Sequence, residues 1–286
     1  MRCIALSLLT TLCVAQDRIL PTPLPSDLEA LSKRVEAAHQ PKGPQTPVTA
    51  FDGRITLHVL DAKAAQGQVD IRVRYFAWTR PDLKVRHLIR YEVREAGAPI
   101  ESGRDQKGAW HLVQGEARDI TEADTTDRAA CERNTNLARQ LVRFLEPGAV
   151  LRALTGPSPV RDAPLQLGRE APTACEVVEG TLPSFPLLQA GGEDAPVQAK
   201  VYVAKASARL VAIEVSPLKD GIADPARTEL VSLVDLHEQD GFLVPRQLLH
   251  LQRDDQGRMR LLSKTVLTAL SLRPDFTAKT FDRPGK

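Results

Sequence analysis

The stretch Val69-Asp70-Ile71-Arg72-Val73-Arg74-Tyr75 decides the fold class, because apolar and polar side chains alternate along its whole length. A period of two places alternate side chains on opposite faces, so the segment predicts a β-strand with one buried and one solvated face. The stretches 54–59 (RITLHV) and 83–94 (LKVRHLIRYEVR) follow much the same period. Three such segments in succession predict an antiparallel sheet with one wet face.

Further short strands are predicted through most of the remaining chain. Glycines at 97, 103 and 108 punctuate two of them, the second being 109–113. In the second half the predicted strands are 174–182, 199–204, 210–215, 229–237, 243–253 and 259–272. Short turns such as Asp240-Gly241 and 254–257 (DDQG) join neighbours, since glycine tolerates the positive φ of tight turns. About eleven strands predict a single large, strongly curved antiparallel sheet.

Two helices interrupt this pattern. Ser26 opens a capping-box sequence (SDLE) ahead of Leu28 and Leu31 at helical spacing, and this helix should end by His39, before several prolines. The second helix is predicted within 121–145, where a Pro-Gly pair follows the last leucine. Its last three turns have one apolar face, so we expect this helix to lie across another element.

Length and composition fit a folded globular protein. The 286 residues can hold one or two domains, and 38 basic against 36 acidic residues leave a net charge of +2. This balance excludes a nucleic-acid-binding protein driven by bulk charge, which needs a clear basic excess. We find no repeat, low-complexity tract or linker in the sequence, so residues 16–286 are predicted to form a single, mainly β domain.

The first fifteen residues have the layout of a secretory signal peptide. Met1-Arg2 is a positive start, 3–14 is an apolar run too short to span a bilayer, and Ala15 completes a small-residue cleavage pattern. Cleavage after Ala15 would export the chain to the periplasm. Two alternatives stay open: an anchored N-terminal helix, and a lipoprotein signal cleaved at Cys13, for which Leu12 fits poorly. No later stretch is long and apolar enough to span a bilayer.

Cys131 and Cys175 are the two cysteines that remain after export. In an oxidising compartment they are predicted to form one disulfide, whose enclosed loop contributes about 4 kcal/mol in the loop-entropy model. Two separately buried thiols are the alternative. A metal site is disfavoured, because neither cysteine has a second cysteine or a histidine at ligand spacing.

The order of these elements resembles the LolA family of outer-membrane lipoprotein carriers and related periplasmic proteins. The matching segments follow in order along the chain: 80–86 (RPDLKVR), 107–110 (KGAW), 241–245 (GFLVP), and 272–276 (LRPDF) followed by Phe281. The resemblance implies a curved sheet that forms an unclosed half-barrel, with an N-terminal helix and a mid-chain helical lid. It also implies an apolar pocket for acyl chains. The predicted Cys131–Cys175 bridge is a departure from the family, and we expect it to pin the lid to the sheet. The chain departs from the family in its greater length and low aromatic content.

Motifs for catalysis, cofactors or metals are weak. Gly-rich phosphate loops and the GxSxG elbow are missing from the sequence, and His237-Glu238 lacks the second histidine of a zinc protease motif. Four histidines lie in predicted strands, where two or three could converge on a metal, although solvated positions are the simpler interpretation: His58, His87, His111 and His250. Three glutamates could supply a carboxylate pair, although charged strand faces explain them equally well: Glu92, Glu95 and Glu101.

Arginines mark the wet faces of the early strands: Arg72, Arg74, Arg80, Arg86, Arg90 and Arg94. They could contact anionic lipid headgroups or an acidic partner. We favour the simpler interpretation, in which charged outer faces keep strands soluble and deter edge pairing.

The sequence therefore predicts an exported, monomeric, non-enzymatic protein without cofactor or metal, which shelters a lipid or a lipoprotein acyl chain. The alternative from another class is a structural or interaction module of the cell envelope with the same fold and a filled interior, recognisable by a stable envelope partner. An exported hydrolase or metal enzyme is a third hypothesis, supported only by unplaced histidines and glutamates.

Overall fold

The computed structural model of the protein describes residues 24–60, 67–79, 85–94, 100–167, 171–187, 195–254 and 256–284. The first half of the chain contributes β1 (Ala50–Val59), β2 (Gly67–Thr79), β3 (Val85–Arg94), β4 (Ile100–Arg104), β5 (Ala109–Val113) and β6 (Glu116–Asp119). The second half contributes β7 (Arg161–Leu165), β8 (Thr173–Leu182), β9 (Val197–Ala204), β10 (Leu210–Lys219), β11 (Ile222–Ala223), β12 (Glu229–Gln239), β13 (Phe242–Arg253) and β14 (Met259–Ser271). The helices in this part of the chain are α1 (Ser26–His39), α2 (Thr125–Leu145), α3 (Pro147–Arg152) and the short 3-10 turns Pro225–Arg227 and Ala278–Phe281.

The strands form one antiparallel sheet in the order β6-β5-β4-β3-β2-β1-β14-β13-β12-β10-β9-β8-β7, with β11 beside β10. The sheet does not close, because β6 and β7 are its two free edges. The first strand pairs with the last, β1 with β14, so the chain extends from this central seam as an N-terminal arm (β1–β6) and a C-terminal arm (β7–β14). The predicted fold class, a single curved antiparallel sheet in an unclosed half-barrel, is confirmed.

Most predicted strands are found, and the sheet has 14 strands where about eleven were expected. The short strands β6, β7 and β11 carry too little alternation to be recognised in the sequence. The predicted capping box is wrong: α1 begins at Ser26 itself, after Pro25, and no side chain caps its first turn. The Pro-Gly pair expected to follow α2 instead starts a further short helix, α3, because proline is well tolerated in a first helical turn.

The two faces of the sheet are distinguished by alternating side chains. On β8, Val178 belongs to the main hydrophobic cluster, which includes side chains from all three α-helices, whereas its neighbour Val177 belongs to a separate cluster. We call the face covered by the helices the concave face and the other the convex face. The convex cluster consists of Leu165, Cys175, Val177, Tyr202, Ala212, Leu230 and Leu251.

The helices divide the concave face between them. Helix α1 packs beside α3 over the C-terminal arm, where Arg34 pairs with Glu176 of β8 at 2.9 Å and His39 Nε2 accepts a hydrogen bond from the Leu210 backbone of β10 at 2.9 Å. Helix α2 contacts α3 and β13 and reaches across to β3, β4 and β5. It therefore bridges the two arms, which is the position expected of a lid.

The predicted disulfide between Cys131 and Cys175 is wrong for this structure, in which both cysteines are free and buried. The Cys131 thiol on α2 lies 3.8 Å from the Gly103 carbonyl oxygen on the concave side. Cys175 on β8 belongs to the convex cluster, so the sheet itself separates the two thiols. A disulfide requires Cα atoms within about 7 Å and Cβ atoms that point towards each other. The second alternative, two separately buried thiols, is the one found.

The KGAW segment (107–110) leads into β5, whose first residues are tightly packed. Trp110 of β5 is fully buried against Gly103 of the neighbouring β4. A Cβ atom at position 103 would lie 2.6 Å from the Ile89 carbonyl oxygen and 2.8 Å from the indole ring. The close approach of these strands therefore depends on glycine.

The C-terminal segment closes over the N-terminal arm. Leu272 and Phe281 are buried, and the Phe281 ring stacks on Phe76 of β2 at 6.1 Å between centroids. This agrees with the closing segment expected from the LRPDF sequence. Most of the RPDLKVR segment, residues 80–84, lies outside the described residues.

Candidate functional site: a cavity under helix α2

A cavity of about 340 Å³ lies between α2 and the ends of the central strands. Its aliphatic lining comes from Leu57 and Val59 of β1, Leu137 of α2, Leu251 of β13 and Leu262 of β14. Leu251 also belongs to the convex cluster and follows a register shift after His250, where the alternation of β13 is interrupted. Its polar lining consists of Arg133, Asn134, Glu229, His250 and Ser263. The volume lies at the lower end of the range for small-molecule sites, and a mainly apolar wall with a few polar groups is their usual composition.

Leu137 separates this cavity from a second void of only about 10 Å³. The void continues along the concave face and is lined by Phe51, Ile55, Val73, Leu137, Ala138, Leu141, Leu248, Thr265 and Leu267. Leu137 is the residue that lines both spaces. This side chain of helix α2 therefore lies between the cavity and the hydrophobic interior.

A buried histidine connects the sheet to α2 beside the cavity. His250 Nε2 of β13 lies 3.1 Å from Gln140 Oε1 of α2. The Gln140 amide nitrogen donates to the Pro186 carbonyl at 2.6 Å, so its oxygen faces the imidazole and His250 Nε2 is the donor. Burial lowers the pKa of His250 to about 4, so the imidazole is neutral near neutral pH.

The segment 183–187, which follows β8, also holds α2. Asn136 Nδ2 donates to the Leu187 carbonyl at 2.7 Å, next to the Gln140–Pro186 hydrogen bond. The Phe185 ring lies 6.3 Å from the Phe144 ring of α2. Helix α2 is thus attached through side-chain hydrogen bonds to loop carbonyls as well as through its apolar face.

A second polar cluster lies where α2 crosses the N-terminal arm. The Tyr91 hydroxyl of β3 faces Ser102, Cys131 and Asn134. Burial raises the pKa of Tyr91 and of the Cys131 thiol, so both groups stay protonated. A buried protonated thiol is a poor nucleophile, which makes Cys131 a structural residue.

Two buried polar atoms under α2 have no hydrogen-bond partner within the described part of the chain. They are Asn134 Oδ1 on the helix and Thr265 Oγ1 on the sheet. A buried acceptor or hydroxyl without a partner costs about 1–3 kcal/mol relative to the same group in water. These atoms therefore lower the free energy needed to lift α2 away from the sheet.

The histidines singled out in the sequence do not converge. His87 Nδ1 lies 2.7 Å from the Tyr75 hydroxyl, and His111 Nδ1 lies 3.0 Å from Asp127. His58 is half-buried on β1, and only His250 lines the cavity. Among the described residues, no three histidine, cysteine, aspartate or glutamate side chains are placed to hold a metal ion.

The charged strand faces form cross-strand ion pairs. Arg72 pairs with Asp52 at 2.8 Å and Arg74 with Glu92 at 3.2 Å, and Arg90 pairs with Glu101. Two of the three glutamates singled out are thus ion-paired on the convex face. Arg80, Glu95 and the side chain of Arg86 lie outside the described residues, and Arg94 is exposed at the end of β3.

Sequence reasoning missed the polar residues that hold α2. The apolar spacing of the helix predicts only its leucine face, and it gives no indication that Asn136 and Gln140 bind loop carbonyls. A signal was present for Asn134, which precedes Leu137 by three residues and Leu141 by seven, and therefore lies on the same helical stripe.

Several solved structures resemble this chain. They include a LolA superfamily protein from Nitrosomonas europaea (12% identity, 90% of this chain and 98% of that chain covered, TM-score 0.41). A DUF1329 family protein from Desulfovibrio piger also matches (11% identity, 89% of this chain and 95% of that chain covered, TM-score 0.47). So does LprF from Mycobacterium bovis (12% identity, 89% of this chain and 98% of that chain covered, TM-score 0.28). One of these similar structures is a LolA superfamily protein, the family whose fold the sequence resembles. A likeness at these identities and TM-scores concerns the fold and identifies no ligand.

No family model matches the sequence, and no curated protein matches it significantly. None of the described helices combines the length and the apolar character needed to cross a membrane.

Proposed function

We propose that the protein is a non-enzymatic binding protein for an amphiphile. It holds the hydrocarbon part of a lipid, or of a lipoprotein acyl chain, between α2 and the concave face of the sheet. The observation that carries this proposal is the cavity of about 340 Å³, whose aliphatic side chains line an existing space next to the closed interior. Apolar surface of this kind is stabilised when a hydrocarbon chain replaces water.

Helix α2 acts as the lid of this site. It bridges both arms, and it contributes Arg133, Asn134 and Leu137 to the cavity wall. Hydrogen bonds attach it to the sheet and to a loop. Two buried polar atoms at this contact have no partner within the described residues, and water can solvate them when the helix moves. A helix seated in this way can open at a lower free-energy cost than one held by apolar contacts alone.

A longer chain enters by displacing Leu137. The cavity then joins the void lined by Phe51, Ile55 and Leu248, and the hydrocarbon replaces the apolar face of α2 against the same side chains. Because the ligand restores the apolar contacts that the helix gives up, the exchange costs little hydrophobic free energy. We place this function in the periplasm on the strength of the predicted signal peptide 1–15, which lies outside the described residues, and we expect a monomer.

The proposal is tested with one substitution on each face of the sheet. Val59→Trp fills the cavity from β1, whereas Val211→Trp places the same bulk in a separate groove of about 580 Å³ on the convex face. The delipidated chain from Gln16 onwards is titrated with a fluorescent fatty-acyl probe. We expect Val59→Trp to weaken binding roughly tenfold, or about 1.4 kcal/mol, and Val211→Trp to leave it within a factor of about two.

Urea unfolding of both variants provides the folding control. Wild-type protein that takes up no probe would contradict amphiphile binding and would favour the interaction module, whose signature is an envelope partner recovered by crosslinking. Equal effects of the two tryptophans would contradict the location of the site. A larger effect of Val211→Trp would move the site to the convex groove.

A further inference from the structure

The convex face of the N-terminal arm contains a cleft of about 290 Å³ that the proposed function does not use. It lies over β14, β1, β2 and β3, on the opposite side of the sheet from the cavity under α2. Its polar lining consists of Arg54, Thr56, Asp70, Arg72, Arg94 and Thr268. Three guanidinium groups and a single carboxylate therefore line one cleft.

The strand register places two of these arginines against each other. Arg54 of β1 lies directly opposite Arg72 of β2. Like charges at directly opposed positions destabilise an antiparallel pair. The charge of Arg72 is offset by Asp52 at 2.8 Å, whereas Arg54 forms no ion pair with any described residue.

Arg94 lies on the neighbouring strand of the same cleft. It is opposite Asp70 in the register of β2 and β3. Asp70 Oδ1 accepts a hydrogen bond from Thr56 Oγ1 of β1 at 2.7 Å. Arg94 forms no ion pair within the part of the chain that the structure describes. The ion pair between Arg72 and Asp52 is neutral as a unit. The guanidinium groups of Arg54 and Arg94 and the carboxylate of Asp70 therefore give the cleft lining one net positive charge.

We infer that this cleft binds an oxyanion of the phosphate class, held between Arg54 and Arg94. The planar guanidinium group presents a fork of N–H donors that matches the geometry of phosphate oxygens. A bound anion also offsets the charge of Arg54, which forms no ion pair with a described residue and lies opposite Arg72. The neighbouring arginines Arg74 and Arg90, which are both ion-paired, need no such ligand.

Thermal unfolding in sodium phosphate and in sodium chloride of equal ionic strength tests this inference. Phosphate at about ten times its Kd should raise the Tm of the wild type by roughly 3 °C more than chloride does. Arg54→Gln and Arg94→Gln should each lose most of this difference. Arg260→Gln is the matched control, because Arg260 of β14 is exposed, forms no ion pair with a described residue and lies outside the cleft lining.

The behaviour of Arg54→Gln in chloride distinguishes a ligand site from a structural role. Removing one of two opposed charges should raise the Tm of this variant in chloride while abolishing its response to phosphate. Equal Tm values for the wild type in the two salts would overturn the inference. An Arg54→Gln variant that keeps the phosphate response would overturn it as well.

Flotation with phosphatidylglycerol vesicles identifies the source of the phosphate. Vesicle binding that is lost in the double variant Arg54→Gln/Arg94→Gln and kept in Arg260→Gln assigns the cleft to a lipid headgroup. A phosphate response without vesicle binding assigns it to a soluble phosphorylated ligand. Because the cleft lies on the opposite face, the fatty-acyl titration should be unchanged in these variants, so each proposal can fail without the other.

Discussion

Helices α1 and α2 cover the same concave face, but they are attached to it differently. Helix α1 buries Leu28, Leu31 and Val35 completely, together with two polar side chains, Ser32 and His39. Helix α2 also buries leucines, but four polar side chains are buried with them: Asn134, Thr135, Asn136 and Gln140. Under the proposed function, α1 holds the fold together and α2 is the helix that a ligand displaces.

The free-energy cost of lifting a helix depends on which of its contacts water can replace. Apolar surface re-exposed to water costs about 25 cal/mol per Å², and nothing in water compensates for it. A protein hydrogen bond contributes only about 0.5–1.5 kcal/mol net, because water takes over most of it. Lifting either helix therefore costs mainly its apolar contacts, and α2 has fewer of these where Leu137 borders the open cavity.

Truncating one leucine on each helix should show the largest contrast. Leu31→Ala is expected to lower the free energy of unfolding by roughly 3–5 kcal/mol, because it leaves a cavity in a fully packed contact. Leu137→Ala should cost about 2 kcal/mol, since Leu137 already borders an open cavity and has fewer contacts to lose. Urea unfolding measures both values. Equal losses would contradict the distinction between the two helices.

Acid should weaken the attachment of both helices to the sheet, because each helix is held by a buried histidine. The pKa values of His39 and His250 are lowered from 6.5 to about 4, mainly by burial. As the pH falls from 6.5 towards 4, the unfolded chain binds protons that the folded chain cannot, so stability decreases by roughly 3 kcal/mol per histidine. The stabilising contribution of each neutral histidine is fully present above the pKa that histidine has in the unfolded chain, 6.5.

Glutamine variants separate the two histidines, because an amide can reproduce either hydrogen bond without titrating. His39→Gln and His250→Gln should each remove about half of the stability lost on acidification, measured by urea unfolding at a series of pH values. Only His250→Gln should also change the affinity for the fatty-acyl probe, since His250 lines the cavity. An acid response left intact by both variants would refute this assignment.

Single hydrogen bonds provide the smallest contrast. Ser32 Oγ of α1 donates to the Gly148 carbonyl at 3.1 Å, and Asn136 Nδ2 of α2 donates to the Leu187 carbonyl at 2.7 Å. Replacing either residue by alanine should lower the free energy of unfolding by about 1 kcal/mol. Only Asn136→Ala should accelerate dissociation of the probe, as measured by stopped-flow fluorescence. An equal acceleration by Ser32→Ala would show that α1 moves as well.

Much of the fold could be predicted because its signals are local. The alternation in 69–75 and 83–94 identifies strands without any knowledge of their partners, and the leucine spacing identifies both long helices. The candidate site could be predicted only in outline, as an apolar space under a mid-chain helix. Its individual residues could not, because Gln140 and His250 become a pair only when α2 crosses β13.

The sequence by itself determined the mainly β class, the order of strands and helices, and the charged outer face of the early strands, since each depends on side-chain periods within a few residues. Tertiary structure alone decided that β1 pairs with β14, that Arg54 lies opposite Arg72, and that the sheet separates Cys131 from Cys175. The physical reason is that register, facing and burial depend on contacts between residues far apart in the chain. A local pattern predicts that a side chain is buried or charged, but not which distant group it will meet.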